Sequence, residues 1–513
     1  MTARDREAGS ALAIRGLSSI VVELLARASQ PLLPRGQGQL GLFLRYLRRK
    51  PGRGLAVTYH VDTPTTSRQM RRGAHKRWVS LTLGEAALAR LQGRFAAGQA
   101  QQAALEVHPA GILRVPDPDL RLQVFPADSG LPALAASCTT ARDGALFPAL
   151  EAAARVQLGD PAWHLVAARA EPVRYKPSSR CVIRYDLVLA RAVTGGALRR
   201  RLSLFGKVYG DPEQARRIQV TTQQLYAEQS KTGEPVLPRP LGAVEALGLV
   251  LNEAIQSPDG TGPETLRPGV RALRPRFLRR GDGGILDVII PGEELRLTAH
   301  ALARLHTSAA RPVGSPYTGA EAAKGACERA ALIAAQNPAH AYEAQRLAQQ
   351  LATRLAVLQP ACRPAHGGFK ASQLLFRAQR VFIVDFDGFR LADPALDVGY
   401  FLAYLRPSGL WYDRPGMRRW FERSAASFLS AYRQALCEYG IDEATADGIV
   451  RRRHLYEAAV LFKIATRRVH RLNSPRPGEV SAMLAEIAQC LADAPRSSSP
   501  EVHDATIAAG SGV

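Results

Sequence analysis

Three stretches in the last third of the chain decide the fold: His366-Gly-Gly-Phe-Lys-Ala-Ser-Gln-Leu-Leu-Phe376, Val381-Phe-Ile-Val-Asp-Phe-Asp-Gly388 and Ala392-Asp-Pro-Ala-Leu-Asp397. They read as a loop, a buried strand ending in a carboxylate, and a helix start supplied with further carboxylates. Val381 to Val384 is wholly apolar, which predicts burial. A strand that delivers Asp385 out of such a run must pair that charge or place it on a metal, because an isolated buried carboxylate is too costly. Asp387, Asp393 and Asp397 follow at short range. Clustered carboxylates without cysteine suit a hard cation such as Mg²⁺ and not zinc.

Working backwards, the texture of the chain changes from about residue 165. Cys181 to Leu189 is β-branched and apolar, and Leu202 to Tyr209 is a second such run, with Gly195-Gly196 at the turn between them. Asp211-Pro212 opens a helix to about Gln229, since Asp suits the N-cap and Pro the first turn. Leu247 to Ile255 is another apolar strand. After a Gly/Pro/Arg-rich loop, 260–284, the chain turns helical, with helices expected near 318–335, 338–358, 413–439, 443–471 and 478–492. Leu295, Ala299, Leu302 and Leu305 share one helical face. Gln373 to Phe386 reads as the one strand-like interruption. Earlier, residues 1 to about 50 read as helical, Leu55 to Val61 and Leu120 to Phe125 as strands, and 83–107 as helical. No chemistry is evident in 1–150. The Ser/Pro-rich tail from Arg496 reads as disordered.

With these motifs in order, the chain resembles the aminoglycoside phosphotransferase and choline kinase-like family, a branch of the protein-kinase-like fold. The family pattern is a His-Gly-Asp loop, a following Asn, an Asp-Phe-Asp metal site and a Gly-Asp-Pro-x-x-Asp helix start. His366, Gly367, Asp385, Phe386, Asp393, Pro394 and Asp397 match it. The resemblance covers roughly 165–490 and implies an α+β, two-lobed fold: a small antiparallel sheet lobe and a mainly helical lobe, preceded by an accessory α/β module. The expected division is 1–160 accessory module, 161–256 first lobe, 257–495 helical lobe and 496–513 tail.

The resemblance also implies ATP and Mg²⁺ as cofactors, with site residues in both lobes. Lys207, in Phe205-Gly-Lys-Val-Tyr209, would contact the α- and β-phosphates. Glu228, or alternatively Glu213, would pair with Lys207. Arg174 to Arg180 lies where a phosphate-covering loop belongs, so Ser178 and Ser179 could offer hydroxyls and amides. Glu253, in Leu251-Asn-Glu-Ala254, marks a hinge that would read adenine. Asp385, helped by Gln373, would hold the metal. His366 belongs to the catalytic loop, and Lys370 would touch the transferring phosphate.

The departures are as informative. The family's catalytic Asp falls on Gly368, which has no group to accept a hydroxyl proton. Its Asn falls on Gln373, one methylene longer. Two readings follow. In one, the chain still transfers phosphate to a small hydroxyl-bearing metabolite, since positioning and electrostatics dominate that reaction, with Asp387 or the substrate as base. In the other, it is an ATP-binding pseudokinase with a scaffold or regulatory role.

Composition narrows the partners. The 513 residues are 46% hydrophobic and 22% charged, ordinary values for a folded protein of several units. Net charge is +23, but lysines number only eight, at 50, 76, 176, 207, 231, 324, 370 and 463, against 60 arginines. The arginines are scattered and carry no RNA-reading signature, so no nucleic-acid partner is expected. The charge argues against a polycationic acceptor. No run of 18 apolar residues and no secretory leader are present, and six dispersed cysteines suit a reducing, cytoplasmic setting. His306, Trp411, Tyr412 and Trp420 read as packing residues, and Arg451-Arg-Arg-His454 as a solvated helix start. Neither the acceptor nor the oligomeric state can be read from the sequence.

Overall fold

A computed structural model describes residues 41–50, 54–62, 78–84, 86–87, 90, 106–108, 111–115, 119–255, 266–281, 283–469 and 476–494. The helical readings of residues 1–40 and most of 83–107, and the tail reading, lie outside them.

The first sheet contains β1 (Gly41–Lys50), β2 (Gly54–Asp62), β3 (Trp78–Leu83), β4 (Glu106–His108), β5 (Ile112–Val115) and β6 (Leu120–Val124). Its order is β1-β2-β3-β6-β5-β4, all neighbours antiparallel. The strands expected at 55–61 and 120–125 are present. Residues 41–50 are a strand, which corrects the helical reading. A bulge between Leu44 and Tyr46 breaks the alternation, and Phe43 and Leu44 are exposed on this edge strand, so the period-2 signal is lost. Helices α1 (Leu134–Cys138) and α2 (Leu146–Leu158) follow.

The second sheet orders β10 (Pro240–Val244), β11 (Leu249–Glu253), β9 (Gly196–Tyr209), β8 (Arg180–Val193) and β7 (His164–Lys176). On β8, burial alternates residue by residue: Cys181, Ile183, Tyr185, Leu187 and Leu189 face a core shared with Leu134, Leu146 and Leu150. β9 alternates so that Phe205 and Lys207 sit opposite buried Leu204 and Val208. Gly206 is required here, because a Cβ would stand 2.6 Å from the Tyr185 ring. Between β9 and β10 lies α3 (Pro212–Lys231). Its N-cap is Asp211, whose carboxylate accepts from Glu213 N at 3.0 Å. β7 was not anticipated. It is an edge strand whose exposed face carries Arg174 and Pro172, and the mixed polarity hides the pattern.

The helical lobe runs through β12 (Arg267–Pro268), α4 (Gly269–Ala272), β13 (Arg276–Arg279), β14 (Ile285–Ile289), α5 (Gly292–His306), α6 (Gly319–Gln336) and α7 (Ala341–Ala356). It continues through β15 (Arg363–Ala365), β16 (Leu374–Arg377), β17 (Arg380–Ile383), β18 (Arg390–Ala392), α8 (Ala395–Leu405), α9 (Met417–Glu438), α10 (Glu443–Val469) and α11 (Val480–Asp493). The helices match expectation. The short pairs β13–β14 and β15–β18 correct the reading of a single strand interruption: strands of three to five residues carry no periodicity to detect. Leu295, Ala299, Leu302 and Leu305 are fully buried, and Trp411 and Trp420 lie in the core, whereas Tyr412 is exposed. α6 opens with a capping box, Thr318 with Glu321. Among the described residues no helix is long and apolar enough to cross a membrane. The chain thus has the two-lobed, α+β, kinase-like architecture expected of it.

Candidate active site between the lobes

The two lobes face each other across a cleft of about 470 Å³. From the sheet lobe it is lined by Val182, Lys207, Tyr209, Val250 and Asn252, and from the helical lobe by Lys370, Gln373, Ile383, Asp385 and Asp387. Val182 and Val250, the cross-strand neighbours of Lys207, and Ile383 supply apolar wall beside the charged side chains. The size and the mix of apolar wall with few polar groups suit a nucleotide-sized ligand.

Strand β17 ends at Ile383, and the chain turns sharply so that Asp385 takes a left-handed conformation, φ +74°. Such a backbone is uncommon for a residue with a side chain, and Asp tolerates it better than most. The turn brings Asp385 and Asp387 to the same two cations. Lys207 Nζ donates to Asp385 Oδ1 and Asp387 Oδ1, both at 2.5 Å. Arg180, first residue of β8, donates to Asp387 Oδ2 and, at 3.3 Å, to Asp385 Oδ2. Tyr209 Oη donates to Asp387 Oδ1 at 2.8 Å. Burial alone pushes the Asp385 carboxyl up, but Lys207 and Arg180 beside it outweigh this and hold it well below the usual range. Burial and the Asp387 charge drive the Tyr209 phenol far up, so it stays a donor.

Gln373 Nε2 lies 3.5 Å from Asp385 Oδ2, a marginal hydrogen bond, while its buried Oε1 has no partner. An orphaned amide oxygen next to a carboxylate is a pair of hard donors, which fits a divalent cation such as Mg²⁺. Lys370 points toward the stacked rings of Tyr400 and Tyr404, its Nζ 5.7 and 5.3 Å from their centroids. Burial, then the charges of Lys463 and Arg467, pull its amine down to about 8.

The loop from His366 to Lys370 is held from behind. Gly367 has φ +72°, and a Cβ there would lie 2.2 Å from Gly388 O, so only glycine fits. A Cβ at Gly368 would meet nothing within 4 Å. His366 is buried and faces inward: Nε2 donates to Val384 O at 3.1 Å, and its amide donates to Asp397 Oδ2 at 2.5 Å. Burial lowers its imidazole pKa, keeping the ring neutral. Asp397 also accepts from His306 Nε2 at 3.3 Å, and His306 Nδ1 is 2.6 Å from Tyr432 Oη. Asp393 accepts from Ala395 N and takes two hydrogen bonds from Arg452. Arg452 is therefore paired and not solvated, unlike the reading of residues 451–454.

Not every expected residue reaches the cleft. Glu228 pairs with Lys231 at 2.8 Å, and Glu213 with Arg216, so neither meets Lys207; its carboxylate partners are Asp385 and Asp387. A helix face chosen without knowing its rotation explains the miss. Ser178 and Ser179 sit in the β7–β8 turn, with Ser178 turned away toward Asp128, whose buried carboxylate accepts from Ser178 N at 2.8 Å, Tyr175 Oη at 2.7 Å and Gly130 N at 2.8 Å. Glu253 lines the cleft, but its amide donates to Arg239 O at 3.0 Å and its carboxylate accepts from Arg239 N at 2.8 Å. His366 fixes the loop rather than touching the cleft. The residues the sequence reading missed are Arg180, Tyr209 and Asp128. The first two flank the recognised strands, and their position at strand ends facing Lys207's side was the available signal.

Residues 256–449 match a family described as the phosphotransferase enzyme family. No curated protein matches the chain. A glucosamine kinase in complex with glucosamine, ADP and inorganic phosphate is similar at 17% identity and TM-score 0.40, over 91% of this chain and 98% of that one. A choline kinase from Streptococcus pneumoniae is similar at 14% identity and TM-score 0.37, over 68% and 99%. A macrolide 2'-phosphotransferase from Brachybacterium faecium is similar at 15% identity and TM-score 0.33, over 66% and 98%. The resemblance first seen in the motifs is borne out where those motifs lie: Gly367, Asp385 and Asp397 all fall within the segment that matches this family.

Proposed function

We propose that this protein transfers the γ-phosphoryl group of ATP to a hydroxyl of a small metabolite, with Mg²⁺ bound by Asp385 and Gln373. The observation that carries the reading is the convergence of Lys207 from one lobe and Asp385 from the other, 2.5 Å apart within a nucleotide-sized cleft. A bound Mg²⁺ would supply charge neutralisation between the phosphates. The chain's own residues would do the rest. Val182, Val250 and Ile383 would enclose the base. Lys207 and Arg180, released from the carboxylates, would turn to the phosphates, and Lys370 would stand near the transferring group. No side chain at 368 takes the hydroxyl proton. Phosphoryl transfer through a loose transition state draws mainly on positioning and electrostatic stabilisation, so a slow reaction survives that loss. The division into accessory module 1–160, first lobe 161–256, helical lobe 257–495 and tail 496–513, and a cytoplasmic setting, belong to the same proposal. The setting is supported by free cysteines at all six positions.

The second reading, an ATP-binding pseudokinase, is favoured by one observation, the missing carboxylate at Gly368. The same experiment separates the two. Mg²⁺-dependent thermal shift with ATP, then turnover on a hydroxyl-compound panel, is measured for wild type, Asp385→Ala and Gly368→Asp. The open space beside Gly368 admits the new side chain. The transferase reading expects wild-type turnover that Asp385→Ala abolishes. Binding without turnover, with turnover gained in Gly368→Asp, supports the pseudokinase. Absence of any Mg²⁺-dependent ATP shift overturns both.

A further inference from the structure

Strands β8 and β9 outrun the sheet they belong to. β7 pairs with β8 only as far as Ala190, and β11 pairs with β9 only from Leu204 onward. Past both limits, among the described residues, β8 and β9 pair with each other alone, from Arg191↔Leu198 to Val193↔Gly196. Every residue from Ala192 to Arg201 is exposed, on both faces of this ribbon. A Cβ at Gly195 or Gly196 would meet nothing within 4 Å, so the turn stands clear of the described chain around it. The base of the ribbon is anchored: Arg191 Nη1 donates to Asp160 Oδ2 at 2.6 Å, and its guanidinium lies 5.7 Å from the centre of the Trp163 ring.

Charge is ordered along the ribbon. The seven residues from Ala192 to Leu198 carry none, and Val193 and Leu198 are 41% and 48% exposed. Behind them come Arg199, Arg200 and Arg201, set opposite Ala190, Leu189 and Val188, with Arg191 on the other strand. Side chains alternate along a strand, so Arg200 leaves one face and Arg199 and Arg201 the other. These three arginines form no ion pair among the described residues, and no acidic residue occurs from Leu187 to Gly210. Charged side chains alone would guard the free edges of a ribbon against pairing with another chain. They do not account for a valine and a leucine left in water at its far end. A two-stranded ribbon standing free is also marginal without something to pack on.

We propose that this ribbon attaches the protein to an anionic lipid bilayer, with the tip from Ala192 to Leu198 seated at the acyl-chain boundary and the arginines on the lipid phosphates. The dimensions agree. From Gly195 to Arg199 is four residues, about 13 Å at roughly 3.3 Å per residue, and an interfacial element buries its apolar part by about 5–10 Å. Arginine binds phosphate through paired N–H donors, and each basic side chain near an anionic surface adds to the binding. A nucleic acid would also meet the arginines, but the tip has no aromatic ring on which a base could stack. The cleft lies toward the other end of β9: Lys207 is eleven residues from Gly196, about 36 Å along the strand at roughly 3.3 Å per residue. Lipid attachment therefore does not depend on the phosphoryl-transfer reading.

The test is co-sedimentation of the full chain with vesicles of phosphatidylcholine alone and of phosphatidylcholine mixed with phosphatidylglycerol; a DNA duplex is the control polyanion. Wild type is compared with Arg199→Gln/Arg200→Gln/Arg201→Gln and with Val193→Ser/Leu198→Ser. All five positions are exposed, and thermal melting checks that both variants stay folded. The expected result is binding to the mixed vesicles and none to phosphatidylcholine alone. The arginine variant should bind about a hundredfold more weakly, roughly fivefold for each arginine, and the apolar variant about tenfold more weakly. Binding that the arginine variant loses and the apolar variant keeps would make the ribbon a site for polyanions in general, and overturns the proposal. Retention on the duplex but not on the mixed vesicles overturns it in favour of a nucleic acid. Mixed-vesicle binding that both variants keep is the attraction of a chain of net charge +23 and overturns it too. Equal binding to both kinds of vesicle, or binding to neither, does the same.

Discussion

Two charged clusters lie on either side of the same loop and are built oppositely. In the cleft, Lys207 and Arg180 face Asp385 and Asp387, two cations against two carboxylates, every charge answered within 3.3 Å. Around Tyr400, Lys463, Lys370, Arg329 and Arg390 gather, and the small cavity there has no carboxylate in its wall. The first cluster is neutral as it stands, and under the proposed function a metal and phosphates would have to exchange partners with it. The second sets its cations against aromatic rings: Lys370 on Tyr404, Lys463 on Tyr400 and Arg390 on Tyr317. The comparison therefore separates side chains that hold the lobes together through ion pairs from cations seated on phenol faces.

The sharpest way to break this contrast is to delete one cation from each cluster. Lys207→Met leaves two partly buried carboxylates with Arg180 as their one paired cation and should lower unfolding stability by about 3 kcal/mol in urea titrations, since removing one partner of an enclosed pair is costly. An unchanged midpoint would mean that the cleft charges are already solvated. Lys370→Met should do the reverse, raising the stability of the ligand-free protein at pH 7 on the order of 1 kcal/mol, because the charged amine is disfavoured where it sits. The pH dependence has a definite sign. The amine titrates at about 8 in the fold against 10.5 ordinarily, so between these values the unfolded chain binds the extra proton. Wild-type stability should gain from this group as pH rises from about 8 toward 10.5, and Lys370→Met should remove that gain. The smallest effect concerns salt. Screening relieves repulsion around Tyr400, so the stabilisation of wild type by NaCl should exceed that of Lys463→Met by several tenths of a kcal/mol. Equal salt slopes would show that the second cluster carries no strain.

How much of this was legible follows from distance along the chain. Asp385, Asp387, Asp393 and Asp397 fall within 13 residues, so their spacing survives in the sequence, and the apolar run before them declares the strand. Lys207 was legible because Phe205-Gly-Lys-Val-Tyr209 resembles the lysine-bearing strand of the family. Arg180 was not singled out: its place at a strand end was the one local signal, and nothing else says that it will meet a carboxylate 205 residues away. Glu228 failed for the opposite reason, since α3 carries polar residues on several faces and only packing decides which one turns inward. Arg329, Arg390 and Lys463 come from α6, β18 and α10, and two of them are hidden among 60 arginines. Lys463, one of only eight lysines, was not singled out either.

Asp128 has a consequence for how the molecule is divided. It precedes the second sheet, yet its carboxylate fastens the β7–β8 turn through Ser178 and Tyr175, directly beside Arg180, and Gly130 lies so near that a methyl group there would be 2.6 Å from Ser178 Cα. A chain shortened to begin at residue 161 would keep every group in the cleft and lose the clasp on the turn that carries one of them. Trimming the leading segment is thus not a neutral excision: the hairpin that carries Arg180 would be tethered at its strands and loose at its tip.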